Sequence, residues 1–197
     1  MNIRLRAESD DKYLGDISDA LKLQDRDPVR VFQELLRLAQ NGSINSMLEL
    51  GWAYKKGLGT KTDTDEAARW FRRAYDGGAT QAALYLGGIY WRMEKYADAR
   101  DIFAKGGEDG DPVCLYWLGR MYQDGIAVEK APDKAYDLYV QASAGGSLIA
   151  RAAAARLLMS GRCGASRILV GVYQYVITMF SALVSCFRKE TNHSLRH

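Results

Sequence analysis

Three stretches of this chain align with one another residue by residue, and that regularity constrains the fold more than any other feature. They read GSINSMLELGWAYKKG from Gly42, GATQAALYLGGIYWRM from Gly78 and GDPVCLYWLGRMYQDG from Gly110. A fourth, GSLIARAAAARLLMSG, starts at Gly146, so the leading glycines stand 36, 32 and 36 residues apart. Counted from each glycine, a small residue falls at +4 (Ser46, Ala82, Cys114, Ala150) and a Leu-Gly pair at +8 and +9 (Leu50-Gly51, Leu86-Gly87, Leu118-Gly119). Tyrosine follows at +12 (Tyr54, Tyr90, Tyr122), while the last copy carries Ala154-Ala155 and Leu158 at these places. Steps of four put the recurring residues on one slowly rotating stripe of a helix, which is its packing face. An irregular helical bundle would not repeat these offsets in three copies.

The second half of each unit has its own stripe. It runs Ala67, Phe71 and Ala74, then Ala99, Phe103 and Gly106 after a loop shorter by four residues, then Ala135, Tyr139 and Ala142. Small residues on either side of an aromatic let two helices approach closely while one ring fills the gap. Each unit reads as a helical hairpin, with Gly57 and Gly125 ending the first helix and Asp65 and the Pro132-Asp133 pair opening the second. A hairpin this small cannot bury both faces alone, so neighbours must stack into an all-α superhelix, a solenoid of about four repeats. Upstream, Val31, Leu35 and Leu38 precede Gly42 at the distances that Ala67, Phe71 and Ala74 hold before Gly78. Residues 28–41 are therefore expected to form an orphan second helix, opened by Pro28, that caps the N-terminal end. Residues 1–27 are expected to be partly helical, with a helix near 16–24.

The pattern small-x3-Leu-Gly-x2-Tyr-x2-Gly, followed by Asp-x2-Ala-x3-aromatic-x2-Ala-x3-Gly, resembles the Sel-1-like repeat family, which is related to the tetratricopeptide repeats. The resemblance covers about residues 42–161, with units at 42–77, 78–109, 110–145 and 146–165 onward. It departs from the family pattern at the short second loop, where Met93 replaces a glycine, and at the Ala-Ala of the fourth copy. It implies an adaptor that holds other proteins together. By analogy with related helical repeats, the positions at +6, +10, +13 and +14 line a groove. These are Leu48, Trp52, Lys55 and Lys56, then Leu84, Gly88, Trp91 and Arg92, then Tyr116, Arg120, Gln123 and Asp124, with Arg156 and Met159 from the last copy. Such a groove interleaves aromatics with five cations and one carboxylate, and Trp and Arg dominate binding hot spots. It points to a protein partner offering an acidic or aromatic-bearing peptide segment. The alternative is that Trp52 and Trp91 pack against adjacent first helices.

Little in the chain suggests chemistry. Both histidines, His193 and His197, fall within the last five residues, so no Ser-His-Asp or Cys-His arrangement can be built inside a folded pocket. Asp10-Asp11 and Asp63-Asp65 lie in segments expected to be solvated, and the Gly57–Gly59 run lacks the Lys-Ser/Thr of a phosphate loop. Cys114, Cys163 and Cys186 are odd in number and widely spaced, which suits small apolar residues better than disulfides or zinc. A net charge of +3, from 27 basic and 24 acidic residues, is too mild for a nucleic-acid binder. The reading is a non-catalytic scaffold without cofactor or metal. The N-terminus lacks the apolar core of a signal peptide, which places the bulk of the chain in the cytoplasm.

The C-terminal part raises a separate expectation. ILVGVYQYVITMFSALVSCF, residues 168–187, carries no charged side chain. Gly171, Tyr175 and Thr178 continue the second-helix stripe of the fourth repeat, yet the outer face is apolar, and twenty helical residues reach roughly 30 Å, the thickness of a bilayer core. Residues 166–187 are thus expected to form an apolar C-terminal helix that holds the protein at a membrane as a single-pass tail anchor, followed by a polar tail at 188–197. Gly171, Gln174, Thr178, Ser181 and Ser185 would make a helix-packing seam suited to a homodimer. The alternatives are a helix lying in the membrane interface, or a cytoplasmic scaffold whose apolar helix is covered by a partner or a second copy.

Overall fold

The leading glycine of every copy ends one helix and sets up the next. Gly42, Gly78, Gly110 and Gly146 take φ of 95°, 108°, 89° and 94°, a left-handed turn that side chains disfavour. The chain then closes on itself: Gly78 N–H donates to the Tyr75 carbonyl and Ala79 N–H to the Ala74 carbonyl, both at 2.9 Å, and the same pair of bonds recurs at the other three glycines. In three copies the residue after the glycine caps the new helix. Ser43, Asp111 and Ser147 accept from the N–H of Ser46, Cys114 and Ala150 at 3.2, 2.9 and 3.3 Å. Each such cap contributes about 1 kcal/mol.

The computed structural model describes residues 12–22, 24, 26–161 and 163. Among these residues the chain forms nine helices: α1 Leu14–Leu21, α2 Pro28–Gln40, α3 Ile44–Lys56, α4 Thr64–Asp76, α5 Ala82–Arg92, α6 Tyr96–Glu108, α7 Pro112–Asp124, α8 Pro132–Ala144 and α9 Leu148–Met159. Each helix packs on the next along the chain, and the first helices also touch one another, α5 on α7 and α7 on α9. This is the nearest-neighbour connectivity of an all-α solenoid.

Contact between the two helices of a hairpin is set by the glycine at +9 and the ring of the second helix. A Cβ on Gly51 would stand 2.7 Å from Phe71 Cδ1, and one on Gly119 would stand 2.7 Å from Tyr139 Cε1; Gly87 faces Phe103 in the same way. All three rings are fully buried. Successive units meet through their other small residues. Ala82, Cys114 and Ala150 at +4 are fully buried, and Gly106 approaches both Ala83 and Cys114 too closely for a Cβ. Burial pushes the Cys114 thiol well above its ordinary range, so it serves as a packing group. At the N-terminal end, Asp27 caps α2 by accepting from Arg30 N–H at 3.0 Å. Val31, Leu35, Leu38 and Ala39 of α2 share a core with Ile17, Leu50 and Trp70.

The short second loop leaves this arrangement undisturbed. In every hairpin the +12 tyrosine carbonyl accepts from the last loop residue at 2.9 Å: Tyr54 from Asp63, Tyr90 from Lys95 and Tyr122 from Ala131. The four missing residues come out of the bulge between these two anchors, with Glu94 taking the left-handed conformation at φ 59°.

The expected apolar C-terminal helix and the membrane-held protein built on it are corrected. Among the described residues no helix is long and apolar enough to cross a membrane. A helix such as α3, with 13 residues, reaches about 20 Å against a hydrocarbon core of about 30 Å. Residues 168–187, with the seam of Gly171, Gln174, Thr178, Ser181 and Ser185, lie outside the described residues. The single-pass anchor, the placement of the repeats facing the cytoplasm from a membrane and the membrane as a partner are therefore withdrawn.

Two substitutions test the packing and the loops. Gly119→Ala adds a methyl against the fully buried Tyr139 ring and should destabilise the protein by about 1–2 kcal/mol in chemical denaturation, although alanine favours helix by about 1 kcal/mol. Ala127 stands at the loop position that Gly59 holds in the first copy and is forced to φ 54°. Ala127→Gly should stabilise the protein by about 0.5–1 kcal/mol in the same measurement, because the left-handed conformation costs an L-residue about 1–2 kcal/mol and only part of this is lost to chain entropy.

Candidate partner-binding groove

The first helices bury one stripe against their hairpin partners and leave the adjacent stripe for the groove face. Two cavities open along it. One, of about 390 Å³, is lined by Trp52 and Lys55 from α3, Leu84, Tyr85, Gly88, Trp91 and Arg92 from α5, Phe103 from α6 and Trp117 from α7. The other, of about 600 Å³, is lined by Tyr116, Arg120, Gln123 and Asp124 from α7, Tyr139 from α8, and Ala153, Arg156, Leu157 and Ser160 at or beside α9. Trp117 joins them: its ring lines the first cavity, and Arg120 and Tyr116 of the second lie 5.1 and 5.9 Å from it.

The sequence-derived groove residues thus divide between the two cavities, with three departures. Leu48 is buried in the core at 3% exposure, Met159 is 80% exposed and lines neither cavity, and Lys56 stands outside the first cavity with its ammonium 5.0 Å from the Trp52 ring. Tyr85 and Trp117, both at +7, were missed. Position +7 lies three residues before +10 and seven before +14, which is one helical stripe, so the spacing itself contained the signal. Phe103 and Tyr139, core residues by their spacing, also form the floor.

The groove aromatics are propped from behind by the rings that space the hairpins. Trp52 meets Phe71 at 5.9 Å, Trp117 stacks on Phe103 at 5.9 Å and Tyr116 meets Tyr139 at 5.7 Å. They also touch across units: Trp52 meets Tyr85 at 4.7 Å and Trp91 meets Trp117 at 5.3 Å. Packing against adjacent first helices and lining the groove are therefore the same arrangement. Edge and tilted contacts of this kind contribute about 0.5–1.5 kcal/mol beyond burial.

The charges are unevenly balanced. In the second cavity Arg120 reaches Asp124 at 3.9 Å, and Tyr139 donates its hydroxyl to Gln123 Oε1 at 3.1 Å. Near the first cavity the half-buried Glu49 carboxyl is raised above its ordinary value by burial, which the charge of Lys56 only partly offsets. Lys55 lies over the Trp52 ring at 4.4 Å, and its pKa is lowered by burial first, then by Arg92 and Lys56. No ion pair to Lys55, Arg92 or Arg156 is formed among the described residues. Nor do the described residues include a cluster of His, Cys, Asp or Glu able to hold a metal ion.

Known proteins bear on this architecture. The family model for the Sel1 repeat matches residues 44–78 and 112–147. The chain is 32% identical over 113 residues to HRD3B of Arabidopsis thaliana, an ERAD-associated E3 ubiquitin-protein ligase component; the match covers 57% of this chain and only 18% of that protein. It is similar in structure to a protective antigen of uropathogenic Escherichia coli displaying an SLR fold, with a TM-score of 0.69 and 25% identity, over 76% of this chain and 33% of the antigen. A Sel1 repeat protein from Oxalobacter formigenes shares the fold at a TM-score of 0.66 and 22% identity, over 75% of this chain and 64% of its own. The two matched segments coincide with the α3–α4 and α7–α8 hairpins. The chain carries a tetratricopeptide-like α-solenoid of Sel1-like repeats, a scaffold fold and not a catalytic one.

Proposed function

We propose that this chain is a non-catalytic scaffold that captures partner proteins on the groove face of its first helices. The observation that carries this reading is the pair of cavities joined through Trp117, where half-buried aromatics alternate with the cations Lys55, Arg92 and Arg156. Aromatic and arginine side chains gathered in a recess are the composition of a binding hot spot, whereas a wall that only closed the core would have its charges paired or turned outward. The name of the Arabidopsis relative describes a component of a larger ligase assembly, and this supports an assembling role.

Photo-crosslinking residues placed at Arg92 and Arg156 in the full chain, inside cells, test the reading. The expected result is a discrete adduct with one and the same protein from both positions, in several-fold higher yield than from the exposed α6 positions Asp98 and Lys105. Adducts formed from α6 alone, or none from the groove, would contradict it.

A further inference from the structure

Gly88 is out of place in a helix unless something must fit above it. The other helical glycines of the repeats, Gly51, Gly87, Gly106, Gly107 and Gly119, each have an atom within 3 Å of where a Cβ would go, so close packing accounts for them. A Cβ on Gly88 would meet nothing within 4 Å. Glycine in a helix interior is destabilising compared with any residue except proline, and no left-handed φ is needed here. The copies on either side carry large side chains at the same +10 position, Trp52, Arg120 and Arg156. The absence of a side chain at this one place opens the first cavity between the Trp52-Tyr85 pair and the Trp91-Trp117 pair.

The chemistry around the opening selects an occupant. Its walls are indole, phenol and leucine surface, suited to one bulky apolar side chain. Its rim carries Lys55 and Arg92, which line the same cavity from α3 and α5, and neither forms an ion pair among the described residues. Of the carboxylates nearby, Asp124 pairs with Arg120 at 3.9 Å, and Glu49 and Asp111 act on the Tyr85 hydroxyl, neither forming an ion pair with Lys55 or Arg92. Two like charges held together at the mouth of an apolar recess are relieved by carboxylates brought in from outside.

Building on the scaffold reading above, we propose that the cavity over Gly88 is an anchor pocket for a bulky apolar side chain of an acidic peptide segment, with Lys55 and Arg92 holding the neighbouring carboxylates. The empty +10 position is then a stability sacrifice made for binding.

Panning a random twelve-residue peptide library on the full chain, followed by titration of the enriched peptides, tests this. The expected peptides carry an aromatic residue or leucine within two positions of Asp or Glu. Gly88→Leu should raise the melting temperature while abolishing their binding, a combination that a merely structural glycine would not give. The Lys55→Glu, Arg92→Glu double variant should weaken binding about tenfold or more with the helical signal intact. Enrichment of basic or uncharged peptides, no enrichment at all, or full binding to Gly88→Leu would overturn the pocket. If crosslinks from Arg92 and Arg156 persist in that case, the scaffold reading stands and only the pocket falls. If the peptides bind undiminished to every groove variant and the crosslinks are absent, both fall.

Discussion

Everything in this solenoid depends on the contact between a glycine on the first helix of each hairpin and an aromatic ring on the second. With no Cβ at Gly51, Gly87 and Gly119, the flat rings of Phe71, Phe103 and Tyr139 lie directly on a helix backbone. The two helices are then fixed at one separation and one rotation, because any slip of either would drive the ring into a neighbouring side chain. Repetition of the contact along the chain makes the units superimposable, which a stack needs if it is to bury every interior face. The same rings continue outward to touch Trp52, Trp117 and Tyr116, so the groove wall takes its position from the core. The groove wall and the core thus share one set of ring contacts.

In the three described hairpins variation leaves that contact in place, and the fourth copy departs from it. A loop shorter by four residues is accommodated because the bond closing the hairpin, from the last loop residue to the +12 tyrosine carbonyl, is main chain to main chain and indifferent to what lies between. The fourth copy replaces the Leu-Gly pair by Ala154-Ala155, and α9 still packs on α8 through Ala150, Ala153 and Leu157. Backbone closure and small residues carry the architecture, while the large groove-facing residues are free to differ from copy to copy. That freedom is what lets one unit hold tryptophan and the next glycine at +10.

The hairpins were legible because offsets of four residues report directly on helical packing, and Phe71, Phe103 and Tyr139 sit in the core as their spacing demanded. The groove was legible in part. Trp91 and Arg120 follow from position by analogy with related helical repeats, and that analogy does not reach Tyr85 and Trp117, although they share a stripe with +10 and +14. Leu48 was placed in the groove and lies in the core among residues of α4 and α5, since which neighbour covers a stripe edge is a tertiary fact absent from the local pattern. The membrane reading failed for a related reason. Length and apolarity state what a segment is able to bury, and among the described residues no helix is long and apolar enough to cross a membrane.

The central claim is that the groove face, and the opening over Gly88 within it, is where a partner segment lies. The chain carries four tryptophans, and they divide cleanly: Trp52, Trp91 and Trp117 line the first cavity, whereas Trp70 is 6% exposed beneath α2 with Arg73 over its ring. Nuclear magnetic resonance of the indole N–H groups during titration with an acidic, aromatic-bearing peptide reads all four at once. The structure predicts that the three groove indoles shift together to saturation while Trp70 stays in place. Movement of Trp70 alone, or of none of the four at saturation, would contradict it.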